Sequence, residues 1–327
     1  MQDAAVETSA RELPRPRVAS FALPALLFAL LALTPLIGLV GPERYLLGLV
    51  TRAMIFAIAA IGLNLELGCG GLVSFGHAAF IGIGSYAAGI LSASGIDDAF
   101  VTLGCALAAS LVFALATGAI SLKTRGVHFI MITLAFGQMA YFVANSLKAY
   151  GGDDGLTLDN RARLFGRDLL ADNRLFYYLV LALLLGVYLF AKAVIRSRFG
   201  RVLRGAKDNE TRMAAIGFDA YPVRLLAYCI SGMIAGLAGW LLAEQAEFVS
   251  PAFMTWQRSG DLIIMVMLGG MASLDGAILG ALFVVLTEEV LAGFTEHWRV
   301  IFGPFLVLVV LFARGGLLGL VTGRRHG

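Results

Sequence analysis

The stretch Ala53-Met-Ile-Phe-Ala-Ile-Ala-Ala-Ile-Gly-Leu-Asn-Leu-Glu-Leu-Gly68 runs straight into Cys69-Gly-Gly-Leu-Val-Ser74 and then into a second apolar segment that ends near Ala93. Apolar runs of this kind recur at 18–41, 53–68, 72–93, 99–122, 127–147, 175–195, 223–243, 260–274, 276–293 and 298–313. A helix needs roughly 20 apolar residues to cross about 30 Å of hydrocarbon. Helices satisfy their own backbone polar groups there, so a helical bundle follows. The expected fold is all-α and transmembrane, with about ten spans interrupted by glycine.

Composition agrees. Of 327 residues, 59% are hydrophobic and 14% charged, against roughly 45–50% and about 25% in soluble domains. The excess suits a single membrane domain. The three cysteines, Cys69, Cys105 and Cys229, lie in or beside apolar runs without metal-ligand spacing, and read as free thiols. Arg11, Arg15 and Arg17 precede an apolar run too long for a signal peptide, so that run reads as a first retained span. Arg52 leaves two options open: a second helix that begins after it, or an arginine that faces protein. The run 260–293 reads as two short spans or one re-entrant pair.

Orientation follows from the basic loops. A cytoplasmic N-terminus places Arg11, Arg15, Arg17, Lys123, Arg125, Arg314, the loop Arg196–Arg224, Arg324 and Arg325 inside. It leaves Asp97, Asp98, Glu244, Glu247, Glu296 and the balanced loop 148–174 outside. Both termini are therefore expected in the cytoplasm. The division is a tail at 1–17, a membrane domain at 18–320 and a tail at 321–327.

The 39 glycines are patterned. Gly82 with Gly84, Gly232 with Gly236 and Gly239, and Gly276 with Gly280 mark small-residue packing faces. Gly70-Gly71-Leu-Val-Ser74 resembles Gly269-Gly270-Met-Ala-Ser273, each between apolar pieces shorter than a comfortable span. Glycine-interrupted segments at matching places in two halves point to broken helices that line a path. The candidate path residues are Asn64, Gly70, Gly71, Ser74, His77, Gly269, Gly270 and Ser273.

No phosphate-cradling Gly-x-x-x-x-Gly-Lys-Ser/Thr loop is present, and no His-Glu-x-x-His or Gly-x-Ser-x-Gly motif. Catalysis is not expected, and any ATP-driven step needs another chain. Ser74 and His77, placed on one helical face, lack an orienting carboxylate. They read as polar groups that hydrogen-bond across helices or line the path. Glu66 faces the path, pairs with Arg52, or reaches the interface.

The loop Arg196–Arg224 is the informative soluble element. Asp208-Asn209-Glu210-Thr211 offers an N-cap with acid in the first turn, Met213, Ala214 and Ile216 an apolar face, and Gly217 a stop. So short a helix is not stable alone. It rests on the lipid surface, drawn by its arginines, or in a groove of a cytosolic partner.

At these residues the chain resembles a known family. Gly62-Leu-Asn64-Leu-x-Leu-Gly68, Ser74-x-Gly76-His77-Ala-Ala-Phe80-x-Gly82-x-Gly84-x-Tyr86 and Thr124-Arg-Gly126-Val-His-Phe129 are similar to the permeases of branched-chain amino-acid ABC importers. So are Tyr150-Gly-Gly-Asp-Asp154-Gly-Leu156, Arg201-Val-Leu-Arg204 with Asp208-Asn-Glu210, and Ile264-Met-Val-Met-Leu-Gly-Gly270. The order resembles the M-type subunit more than the shorter H-type.

The resemblance implies an inner-membrane permease without a cofactor of its own, ATP and Mg lying on partner subunits. Its implied partners are an H-type permease, two cytosolic ATPases, a periplasmic binding protein and membrane lipid, with no nucleic acid. It assigns Arg204, Asp208, Asn209, Glu210, Met213, Ala214, Ile216 and Gly217 to docking on an ATPase. The chain departs from the pattern at Glu66, Cys69, Gln138 and Asp275, which bears on the solute. Relatives carry urea or short amides, aromatic acids or sugars. A secondary carrier that works without ATPases is the alternative from another class.

Overall fold

The structure, a computed structural model, describes residues 19–37, 43–158, 160–271, 273–294, 297, 300–304, 306 and 316–322. The first tail and Arg314, Arg324 and Arg325 lie outside the described residues, as does most of the run 298–313.

The chain is mostly helical: α1 (Ala19–Ile37), α2 (Glu43–Asn64), α3 (His77–Ala93), α4 (Ala99–Ser121), α5 (Val127–Ser146), α6 (Asn173–Arg196), α7 (Arg198–Asp208), α8 (Glu210–Ala215), α9 (Ala220–Ala246), α10 (Trp256–Gly269), α11 (Leu274–Phe294) and α12 (Gly316–Thr322). A π-helical turn, Leu65–Cys69, extends α2. One small ribbon accompanies the helices. Strands β1 (Leu156–Thr157) and β2 (Phe248–Val249) pair antiparallel, with Leu156 opposite Val249.

Among the described residues six helices are long and apolar enough to cross a membrane: α2 with its π turn, α4, α5, α6, α9 and α11. The helices α3, of 17 residues, and α10, of 14, are shorter. The expectation that both pieces around Gly70 are short is thus half corrected, because α2 and its turn form one span of 26 residues.

Burial sorts the spans. The hydrophobic windows of α2 and α9 are 72% and 78% buried, whereas α4, α5, α6 and α11 keep most of theirs open. The buried pair forms the centre and the others wrap it. Glycine sets the spacing. A Cβ on Gly84 would strike the carbonyl of Gly236, and one on Gly239 the carbonyl of Ile81, so α3 and α9 touch backbone to backbone. Gly280 meets the Met265 carbonyl in the same way between α11 and α10.

The bundle has two unlike ends. At one, the ribbon gathers the Asp97–Asp98 turn, the 147–172 loop and the end of α9. Glu244 accepts from Ala162 N at 2.7 Å, and Arg161 lies 3.0 Å from Glu247. At the other, Arg125 meets Glu210 and Lys207 meets Gly68. These are the two groups of loops that charge placement separated.

Arg52 lies inside α2, which rules out a helix beginning after it. It is half-buried and faces protein, its guanidinium 5.9 Å from the Phe56 ring centroid. Arg52 does not pair with Glu66, since fourteen residues at 1.5 Å each is about 21 Å of helix.

Candidate functional site

The helical path of α2 widens into the π turn at Leu65–Cys69 and then breaks. Residues 71–74 follow no regular form, and α3 starts at His77. Gly71 holds φ at +69°, in the left-handed region that a side chain disfavours. The second break has the same character. Gly270 ends α10 at φ +117°, and α11 begins at Leu274.

The two breaks meet. Asn64 Nδ2 donates to the Ser273 carbonyl at 3.0 Å, and a Cβ on Gly68 would collide with the Met271 carbonyl. Gly269 and Gly276 also pack backbone to backbone, and the amide of Gly276 donates to Ser273 Oγ at 3.3 Å. Asn64, Gly269, Gly270 and Ser273 therefore form one joint.

Beneath it sits a buried polar cluster. Glu66 and His77 are both 0% exposed, with Nδ1 of the histidine 3.6 Å from the carboxylate. Of the three readings of Glu66, pairing with Arg52 and reaching the interface both fall: the carboxylate is fully buried beside His77, with no hydrogen bond between the two. Ser74 is buried but precedes α3, so it and His77 do not share a helical face. Ser231 donates to the Gly62 carbonyl at 2.6 Å, and Ser259 Oγ accepts from Ala78 N at 3.0 Å. Thr133 Oγ1 accepts from Phe75 N at 3.3 Å. Thr133 ties α5 to the irregular backbone itself, while Ser231 and Ser259 tie α9 and α10 to the helices on either side of it, which explains how a broken segment persists inside an apolar bundle.

Gly70 and Gly71 point elsewhere. A Cβ on Gly70 would lie 3.5 Å from Leu203, and one on Gly71 would lie 2.9 Å from the Lys207 chain. Lys207 Nζ donates to the Gly68 carbonyl at 2.9 Å. The first break thus rests directly on α7. Sequence reading missed this contact, because Lys207 is one cation among several in its loop.

The loop itself is two helices rather than the single short one expected. Asp208 ends α7 and Asn209 caps α8, its side chain accepting from Arg212 N at 2.8 Å. Asn209 takes the extended backbone a cap requires, which splits the helices. Gly217 stops α8 at φ +87°, and Phe218 N bonds the Met213 carbonyl at 3.0 Å.

Glu210 anchors α8. It accepts from Arg125 at 2.7 Å and from Arg224 at 2.8 Å, bridging the α4–α5 turn and α9. Arg224 also donates to the Ala206 carbonyl at 3.0 Å, and Arg204 to that of Ile195 at 3.0 Å. Met213 turns inward against Gly205. Ala214 and Gly217 are exposed, and Ile216 and Phe218 are 62% and 47% exposed. Phe218, absent from the expected set, enlarges that apolar tip.

Comparison with known proteins agrees with this architecture. Residues 45–323 match the family described as branched-chain amino acid transport system / permease component. The chain is similar to a high-affinity branched-chain amino acid transport system permease protein LivM of Salmonella typhimurium, at 30% identity over 82% of this chain and 68% of the relative. The Escherichia coli LivM is 29% identical over 84% and 70%. An Escherichia coli LivH is 24% identical over 83% of this chain and 93% of its own. No solved structure matches the chain. Two broken helices joined at Asn64, a bundle of apolar spans and a match over residues 45–323 lead to one conclusion: the chain belongs to the branched-chain amino acid transport permease family.

Proposed function

We propose that this chain is the M-type permease subunit of an ATP-driven importer that carries branched-chain or closely related amino acids across the inner membrane. The observation that supports it best is the contact of Lys207 and Leu203 with the Gly68–Gly71 break. A push on the α7–α8 knob reaches the broken helix through one side-chain layer, with no lipid between. Movement there shifts the Asn64–Ser273 joint, and with it the second break.

In this reading the membrane domain is 18–320, with ten spans and both tails in the cytoplasm. The knob docks in a groove of a cytosolic ATPase, for which the exposed Ile216 and Phe218 supply an apolar tip. ATP and Mg belong to the two ATPases, an H-type permease completes the conduit, and a periplasmic binding protein delivers the solute. The chain performs no catalysis of its own.

The test is reconstitution. Vesicles that hold this chain with an H-type permease, two ATPases and the binding protein should accumulate radiolabelled leucine only when ATP is supplied. Accumulation by this polypeptide alone would overturn the proposal in favour of a secondary carrier. Accumulation of urea, an aromatic acid or a sugar in place of leucine would move the chain to another solute class within the same machinery.

A further inference from the structure

Neither the joint nor the knob uses the two arginines at the ribbon end of the bundle. Arg52 of α2 and Arg258 of α10 each place their guanidinium 5.9 Å from the same ring, that of Phe56. Two like charges drawn to one buried ring repel each other. Among the described residues the one ion pair that either makes is Arg258 with Asp261 at 3.8 Å, beyond hydrogen-bonding reach. Among the described residues Arg52 has the Phe56 ring and no carboxylate. The pair is one negative charge short.

Both arginines open into a single cavity of about 280 Å³. Its remaining wall is apolar, with Phe56, Leu242 and Phe253, and carries one further polar group, Gln245. The Gln245 amide donates to the Gly48 carbonyl at 2.6 Å, which fixes its orientation and leaves Oε1 an acceptor with nothing bonded to it. Phe253 is held in place from behind. The neighbouring Met254 fills the notch left by Gly82 on α3.

We propose that this cavity is a binding site for a small carboxylate with an apolar side chain. The carboxylate would take the Arg52–Arg258 pair, which supplies the missing negative charge. The side chain would lie against Phe56, Leu242 and Phe253. The volume falls just below the roughly 300–1,000 Å³ of drug-sized pockets, which suits a small metabolite. Lying at the end opposite α7–α8, the site is where a solute meets the conduit first. That last placement rests on the importer reading, but binding does not.

The experiment is cysteine protection in lipid nanodiscs. The full-length chain, with Cys69, Cys105 and Cys229 replaced by alanine, carries Ala246→Cys at the exposed rim of the cavity. Leucine and 4-methylpentanoate, which share the carboxylate and the branched side chain, should both slow maleimide labelling. Isoamylamine, which lacks the carboxylate, should not. Arg52→Gln with Arg258→Gln should raise the half-protecting leucine concentration about tenfold or more, the loss of a charge-assisted hydrogen bond. Arg258→Gln alone is the second variant should the double one fail to fold.

Protection that survives both variants would overturn the site. So would protection by the amine as strong as by leucine, or protection conferred only by an acidic protein and by no small carboxylate. Wild-type protection without leucine uptake in the reconstituted system would uphold the site and sink the importer reading instead.

Discussion

Asn64 and Ser273, 209 positions apart, are joined by one hydrogen bond from a side-chain amide to a backbone carbonyl at 3.0 Å. Each flanks a break, Asn64 at the end of the α-helical part of α2 and Ser273 capping the start of α11. The Ser273 carbonyl already accepts from Ala277 N at 3.2 Å, so Asn64 is its second donor and ties α2 to the first turn of α11. The bond is therefore both a structural closure and a mechanical link between the two interrupted segments.

Asn64→Ala should remove it and leave the Ser273 carbonyl with Ala277 N alone, at a cost of about 0.5–1.5 kcal/mol. The expected outcome is a lower melting temperature of the purified chain and reduced uptake in the reconstituted importer. Unchanged melting and uptake would show that the two breaks move independently.

Glu210 tests the knob. Its bond to Arg125 is largely exposed and worth little, whereas Arg224 is 14% exposed and carries the anchor. Glu210→Arg should release α8 and lower uptake at least several-fold while ATP hydrolysis by the partner subunits continues. Adding Arg224→Glu should recover part of the uptake. Full uptake in Glu210→Arg alone would remove the anchor from the mechanism.

Gly217 separates backbone strain from crowding. Nothing lies within 4 Å of a Cβ placed there, but φ is +87°. Gly217→Asn should be tolerated, because asparagine enters the left-handed region readily, and Gly217→Val should misplace Ile216 and Phe218. The check is the ratio of uptake to ATP hydrolysed. Equal ratios for the two variants would mean the tip's position is unimportant.

Gly84 and Gly104 form a matched pair. A Cβ on Gly84 would overlap the Gly236 carbonyl, while Gly104 has open space around it. Gly84→Ala should cut the yield of folded protein in detergent and lower its melting temperature by several degrees. Gly104→Ala, also in a helix, should leave the folding stability unchanged or raise it by up to about 1 kcal/mol. Equal behaviour would argue that α3 and α9 do not need backbone contact.

Much of this could be read from residue order. The runs of apolar residues announced the helices, and the glycine sets marked small-residue packing faces, though not that Gly84 would meet Gly236. The knob was legible because Asn209, Glu210 and Gly217 are local capping signals whose meaning depends on neighbours in sequence. Its division into α7 and α8 was not, since Asp208 and Asn209 are both competent caps. Only the surrounding packing chose the second.

The partner of Glu66 was beyond sequence reasoning. Arg52 offers opposite charge, but helix geometry holds it about 21 Å away. His77 offers none when neutral, yet the chain folds back at Gly70–Gly76 and delivers it to 3.6 Å. The convergence of Arg52 and Arg258 on Phe56 was equally hidden, as the two arginines belong to helices 200 residues apart.

By itself the sequence determined that this protein is a bundle of membrane-crossing helices with two glycine-rich interruptions, because hydrophobicity, capping and glycine's freedom act over a few residues and are written where they act. Tertiary structure alone decided that the interruptions close on each other, that α7 bears on the first, and that two arginines share a cavity. Those outcomes depend on which surfaces meet once the helices pack, and no local rule carries that information.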